Sequence, residues 1–303
     1  MAAAHASLEG GPSLRIASMM ALSHPMSIDV YCEKTVANSR CVIVRCLGGE
    51  SYWQYGLEKL QETCRAGNLT LIVLPGDDKP DPSLDRYNSV DTDTRLRLWS
   101  YWNQGGVANA RLALHFCAEF LDGDIAKISA AEPLLKAGLW SPDDQQPTVQ
   151  QWQQNQIVDA PVVAIVFYRA LVQAGNTEPI DALCSALLDQ SMNALPIFVS
   201  SLKDDVSKAT IRNVFGQVRP GVVINLTGFA VSSPVGIHNG TVLEEQGAVV
   251  LQAVLSGGGI DAWRDSSQGL SARDLAMNVA LPEVDGRVLT RAIAFKSAEE
   301  RDP

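Results

Sequence analysis

The sequence predicts an α/β fold in two lobes, built on mostly parallel sheets flanked by helices. Three observations carry this reading. Short β-branched runs alternate with amphipathic stretches of helical period along the 303-residue chain. The runs are apolar at nearly every position, the pattern of strands buried on both faces. The strand–helix–strand order recurs in both halves, on either side of a polar stretch rich in Gln, Asp and Pro. The expected division is an N-terminal lobe at 1–140, a linker at 141–160 and a second lobe at 161–303.

The elements follow in order. "SRCVIVRCLGG" reads as a buried strand ending in a Gly-Gly turn. "YWQYGLEKLQETCRAG" reads as a helix, with Tyr52, Tyr55, Leu57, Leu60 and Cys64 on its apolar face and Gly67 as the stop. "LTLIVLPGDD" is the next strand, and 94–121 is mostly helical with a break at Gly105-Gly106. In the second half, "PVVAIVFYR", "ALPIFVSSL", "VVINLTGFA" and "AVVLQAVLSGGG" are strands. Helices at 177–190, capped by Thr177, and at 204–221, opened by acids, lie between them. "SARDLAMNVAL" is a final helix. Together these predict two Rossmann-like or flavodoxin-like lobes.

Composition excludes several classes. The net charge is −10, which argues against a general nucleic-acid or anionic-membrane surface. No apolar run is long enough for a membrane span, and the N-terminus has no secretory pattern, so a cytoplasmic protein is expected. The six cysteines form no CxxC pair, and reduced structural thiols are expected of them. The four histidines show no zinc spacing. There is no GxxxxGK[ST], so the chain is not expected to hydrolyse ATP alone, and no GxSxG elbow.

Ligands of open parallel sheets bind outside the carboxyl ends of the strands. The residues expected there include Gly48-Gly49-Glu50, Gly76-Asp77-Asp78, Tyr168-Arg169, Ser200 to Lys203, Asn225 to Phe229 and Ser256 to Gly259. Turn chemistry alone accounts for the glycines and aspartates. It accounts less well for Tyr168-Arg169 and Asn225/Thr227, which raises a crevice lined by Arg169, Lys203 and Asn225. Near the C-terminus, "ALPEVDGR" sets Glu283 and Asp285 two residues apart. On extended backbone both carboxylates would point to one side, suiting a hard cation or a coupled acid pair. A solvated turn with Gly286 at its tip is the alternative.

Several separated stretches carry a resemblance. They are "PSLRIASMMALSHPMSIDVYCEKTVANSRCVIVRCLGGESYWQYGLEKL", "LPGDDKPDP", "FYRALVQAGNTEPIDALCSALL", "NLTGFA" and "GLSARDLAMNVALPEVDGRVLTRAIAFK". In this order, from Pro12 to Lys296, they resemble the CobN/magnesium chelatase H family of large chelatase subunits. "EVDGRVLTRAIAFK" is more similar to CobN, the cobalt branch, than to magnesium-type subunits. The resemblance implies part of the corrinoid-binding subunit of an ATP-dependent cobaltochelatase, a ligase that inserts Co2+ into hydrogenobyrinic acid a,c-diamide in cobalamin biosynthesis. It implies a CobS-type AAA+ ATPase and a CobT-type subunit as partners, with ATP and Mg2+ bound by the ATPase and Co2+ as substrate. Family members are several times longer, so the remainder of the large subunit is a further expected partner, and the chain alone is expected to be inactive. The chemistry needs a base for ring N–H protons and ligands that strip water from the metal. Glu283 and Asp285 are the first candidates for it, and His24, with Glu283, the candidate metal ligand. Arg169, Lys203, Asn225, Thr227 and Arg287 are candidate substrate contacts, the cations through the ring's peripheral carboxylates. A magnesium-type subunit acting on protoporphyrin, or a two-lobed binding module without catalysis, are the alternative readings.

Overall fold

The computed structural model describes residues 1–8, 11, 13–122, 125–142, 146–232 and 240–296. The chain divides into two compact units, Met1–Pro133 and Leu134–Asp302.

In the first unit β1 (Cys41–Cys46) and β2 (Thr70–Pro75) pair in parallel, Cys41 opposite Thr70. The helix Gln54–Gly67 connects them and ends on Asn68 in the left-handed conformation, φ 52°. Alternation along β2 sends Leu71 and Val73 into one core with Leu57, Leu60 and Cys64. Ile72 and Leu74 pack on the other face with Leu98, Tyr101 and Phe116. The helices Thr92–Gln104 and Gly106–Asp122 supply that second layer, and the break between them falls at Gly105, φ 73°. Tyr52 and Tyr55 depart from expectation. Both are exposed, because the buried stripe of the helix begins at Gly56 and Leu57.

Among the described residues the second unit holds six strands: β3 (Ala137–Leu139), β4 (Val162–Tyr168), β5 (Asn193–Val199), β6 (Val222–Asn225), β7 (Val249–Leu255) and β8 (Val288–Ala294). Their order is β3-β5-β4-β6-β7-β8, and only β3 runs antiparallel. The helix Asp205–Val218 covers one face through Ile211, Val214 and Phe215, against Ala164, Val166 and Val223. The helix Glu178–Asp189 covers the other through Ile180, with Ile165, Phe167 and Phe198. Thr177 precedes that helix but makes no side-chain capping bond, since its own backbone is already helical.

The expected boundary also shifts. Residues just before 140 form β3 in the second unit, and Trp152, within the expected linker, is buried in that unit's core. The helix Val149–Gln154 that carries it is closed by a capping box from Thr148 and Gln151. Amphipathic Gln-rich sequence with one buried Trp therefore packs rather than links.

Candidate functional site

From β4 the chain steps to β5 on one side, then returns to β6 on the other. The carboxyl ends of β4 and β6 are thus the topological switch point, where open α/β sheets bind ligands. Tyr168 ends β4 and Asn225 ends β6. The loop after β6, Leu226 to Ser232, is held by buried side chains and by backbone bonds.

Three sets of bonds fix that loop. At its base, Asn225 Nδ2 donates to Gln252 Oε1 at 2.7 Å, and Asn225 Oδ1 accepts from the Thr227 hydroxyl at 2.9 Å. Gln252 Nε2 donates to the Thr227 carbonyl at 2.9 Å. All three side chains are buried. In its middle, the Tyr168 hydroxyl donates to the Gly228 carbonyl at 2.9 Å, and the Phe229 N–H donates to the Met277 carbonyl at 2.9 Å. Gly228 has no room for a side chain: a Cβ would meet Asn278 Oδ1 at 2.8 Å and the Met277 carbonyl at 2.9 Å. At its far end, Asp285 accepts from the N–H groups of Val231 and Ser232 at 2.6 and 2.7 Å. Asp285 also pairs with Arg287, whose Nη2 donates to the Phe229 carbonyl at 2.6 Å.

The Asp285–Arg287 pair has no side-chain exposure on either partner. Burial raises the Asp285 carboxyl, but the N–H groups of Val231 and Ser232 and the Arg287 guanidinium outweigh it and hold it below its ordinary value. Nε and Nη1 of Arg287 are buried, with no acceptor among the described residues. Burial pushes the Tyr168 hydroxyl up, with the Arg287 charge opposing.

The "ALPEVDGR" geometry differs from expectation. Leu281–Glu283 is helical, Val284 keeps helical angles, and Gly286 turns the chain at φ 74°. Residues two apart on a helical turn do not share a side. Glu283 is exposed while Asp285 is buried, so they form neither a one-sided pair nor a solvated turn. The expected crevice lining changes too. Asn225 and Thr227 are fully buried and shape the loop instead of facing a ligand. Arg287 is buried likewise and clamps it. Arg169 donates to the carbonyls of Leu134 and Leu135 at 3.0 and 2.8 Å. Lys203 is exposed after β5. His24, in the first unit, is the N-cap of the helix Pro25–Lys34, its Nδ1 accepting from the Met26 N–H at 3.2 Å. No metal-binding group of three His, Cys, Asp or Glu occurs among the described residues.

Two site residues were not foreseen. Gln252 interrupts the apolar run of β7, and that lone amide was the available signal. Asp274 is buried and holds the loop after β7, accepting from the Ser256 hydroxyl at 2.8 Å and the Gly257 N–H at 3.2 Å. Its signal was the S-x-x-D spacing from Ser271, which caps the helix at 3.1 Å. That helix passes through a π-helical stretch at Ala276–Ala280, a feature frequent at functional sites.

Comparison with known proteins agrees with this architecture. The family model described as CobN/Magnesium Chelatase matches residues 99–303. The chain belongs to the CobN/magnesium chelatase family. Over its whole length it is 50% identical to an aerobic cobaltochelatase subunit CobN of Sinorhizobium sp, covering 24% of that protein. It is 37% identical over 97% of its length to the CobN subunit of Pseudomonas aeruginosa, covering 23% of it. It thus spans about a quarter of the length of these curated relatives. The solved catalytic subunit of cobaltochelatase from Mycobacterium tuberculosis superposes with a TM-score of 0.69 at 25% identity, over 90% of this chain and 22% of that one. Among the described residues no helix is long and apolar enough to cross a membrane.

Proposed function

We propose that this chain is the N-terminal part of the large, corrinoid-binding subunit of an ATP-dependent cobaltochelatase, a cytoplasmic ligase. It serves insertion of Co2+ into hydrogenobyrinic acid a,c-diamide. The observation that carries the proposal is the 50% identity to a CobN subunit along the entire chain. Insertion requires the corrin's ring N–H proton to leave as the metal gains ring nitrogens and loses water. An exposed carboxylate on a fixed segment can accept a proton or hold the hydrated ion. Glu283 is that group: it sits two residues before the buried Asp285 that anchors its turn. Asp285 and Arg287 then act as positioning residues. Lys203 and Arg169 remain the cations for the ring's peripheral carboxylates, Arg169 while also bonded to the Leu134 and Leu135 carbonyls. CobS- and CobT-type subunits supply ATP hydrolysis with Mg2+, and the rest of the large subunit completes the enclosure.

Two measurements test this. Absorbance titration of the chain with metal-free corrinoid should give a spectral shift that protoporphyrin does not match; a porphyrin shift alone would favour a magnesium-type role. With Co2+, ATP, corrinoid and the partner subunits, this chain alone should give no turnover above the metal-only background. Turnover would overturn the expectation that it is inactive alone.

A further inference from the structure

Phe229 combines properties that packing alone does not explain. Its backbone sits at φ 63°, in the left-handed region that bulky L residues avoid. Glycine is the usual occupant of such a position, and Gly228 precedes it. Both backbone groups of Phe229 are tied down, the N–H to the Met277 carbonyl and the carbonyl to the buried Arg287. Phe229 as a whole residue is 50% exposed, unusual for a large apolar side chain on so fixed a backbone. A strained conformation persists only where its surroundings over-determine it, and such positions gather at ligand clamps. Here the surroundings are the Asn225–Thr227–Gln252 network, the Tyr168 bond to Gly228 and the Asp285–Arg287 clamp. All of them converge on one loop at the switch point between β4 and β6.

We propose that Phe229 is a stacking platform for the flat face of a conjugated macrocycle, presented at the carboxyl end of the sheet by that clamped loop. The inference rests on the tetrapyrrole reading above and adds the residue that meets the ring. An aromatic held by fixed backbone loses little side-chain freedom on binding, and π-faces stack without needing hydrogen-bond partners. The exposed Glu283 lies on the same clamp, two residues before Asp285, so an apolar face and a carboxylate are secured by one ion pair.

The test compares wild-type chain, Phe229→Gly and Phe229→Trp, titrated with metal-free hydrogenobyrinic acid a,c-diamide and followed by corrinoid absorbance, with Tm measured on each. Phe229→Gly removes the ring and relieves the positive φ. Its Tm should hold or rise while affinity falls about ten-fold or more, as for loss of one aromatic stacking partner. Phe229→Trp should bind within about threefold of wild type, because it keeps a π-face. Equal affinity of wild type and Phe229→Gly would overturn the stacking role and leave the tetrapyrrole reading standing. Failure of the wild-type chain to bind the corrinoid would overturn both. A lowered Tm in Phe229→Gly alongside lost binding would show a packing role instead, and loss of binding in Phe229→Trp would equally refute a platform.

Discussion

Replacing Asp285 by Ala should be among the most damaging single changes in the second unit. The carboxylate accepts from two backbone N–H groups at 2.6 and 2.7 Å and pairs with Arg287, all away from water. Its removal leaves a buried guanidinium without a counter-charge and two loop N–H groups without an acceptor. Removing one partner of a buried pair costs about 3–5 kcal/mol. For a unit the size of Leu134–Asp302, each kcal/mol lowers Tm by about 2–4 °C, so the drop should be about 6–20 °C. The assay is calorimetry resolving the transition of that unit, because two compact units need not unfold as one. Arg287→Met should cost less, about 1–3 kcal/mol. It removes two nitrogens, Nε and Nη1, that have no acceptor among the described residues, and leaves Asp285 bonded to Val231 and Ser232. The order matters more than the size. An Asp285→Ala drop below about 2 °C, or a larger drop for Arg287→Met, would refute the view that the carboxylate organises the loop.

Other expectations follow from the same geometry. Asp285 is held below its ordinary value in the folded state, so the folded state binds fewer protons than the unfolded one between the two values. Its stabilisation is complete above about pH 4 and lost as pH falls through the folded value, so the Tm gap between wild type and Asp285→Asn should be flat from about pH 6 to 8 and shrink below about 4. Glu283→Gln, on an exposed side chain, should change stability by no more than about 0.5 kcal/mol in a denaturant melt. Asp274→Ala removes the acceptor for Ser256 and Gly257 and should cost about 1–3 kcal/mol in the same melt. Burial pushes Cys41, Cys117 and Cys184 up to about 12, so at pH 8 native chain should resist iodoacetamide at these thiols and react once unfolded.

The strands legible in the sequence are those buried on both faces. β1, β2 and β4 to β7 announced themselves as apolar runs because helices cover both sides of each sheet. β3 is three residues long and β8 alternates exposed and half-buried positions at the sheet's edge, so neither makes such a run. The "ALPEVDGR" stretch was legible as a special segment but not as a shape. Pro282 suits the first turn of a helix, and that helical turn separates Glu283 from Asp285. Burial of Asn225, Thr227 and Arg287 was invisible for a related reason. Polar residues at strand ends read as ligand-facing, and only the three-dimensional partners, Gln252 and Asp285, reveal them as supports.

The central claim is that an exposed Glu283, held by a buried Asp285–Arg287 clamp, does the chemistry of metal insertion. It is tested most directly by Glu283→Gln, assayed for Co2+ insertion with the rest of the large subunit and the ATPase partners supplied. The account predicts a loss of turnover of at least about 100-fold, the scale of a missing general base, with corrinoid affinity and Tm unchanged. Undiminished turnover would contradict it.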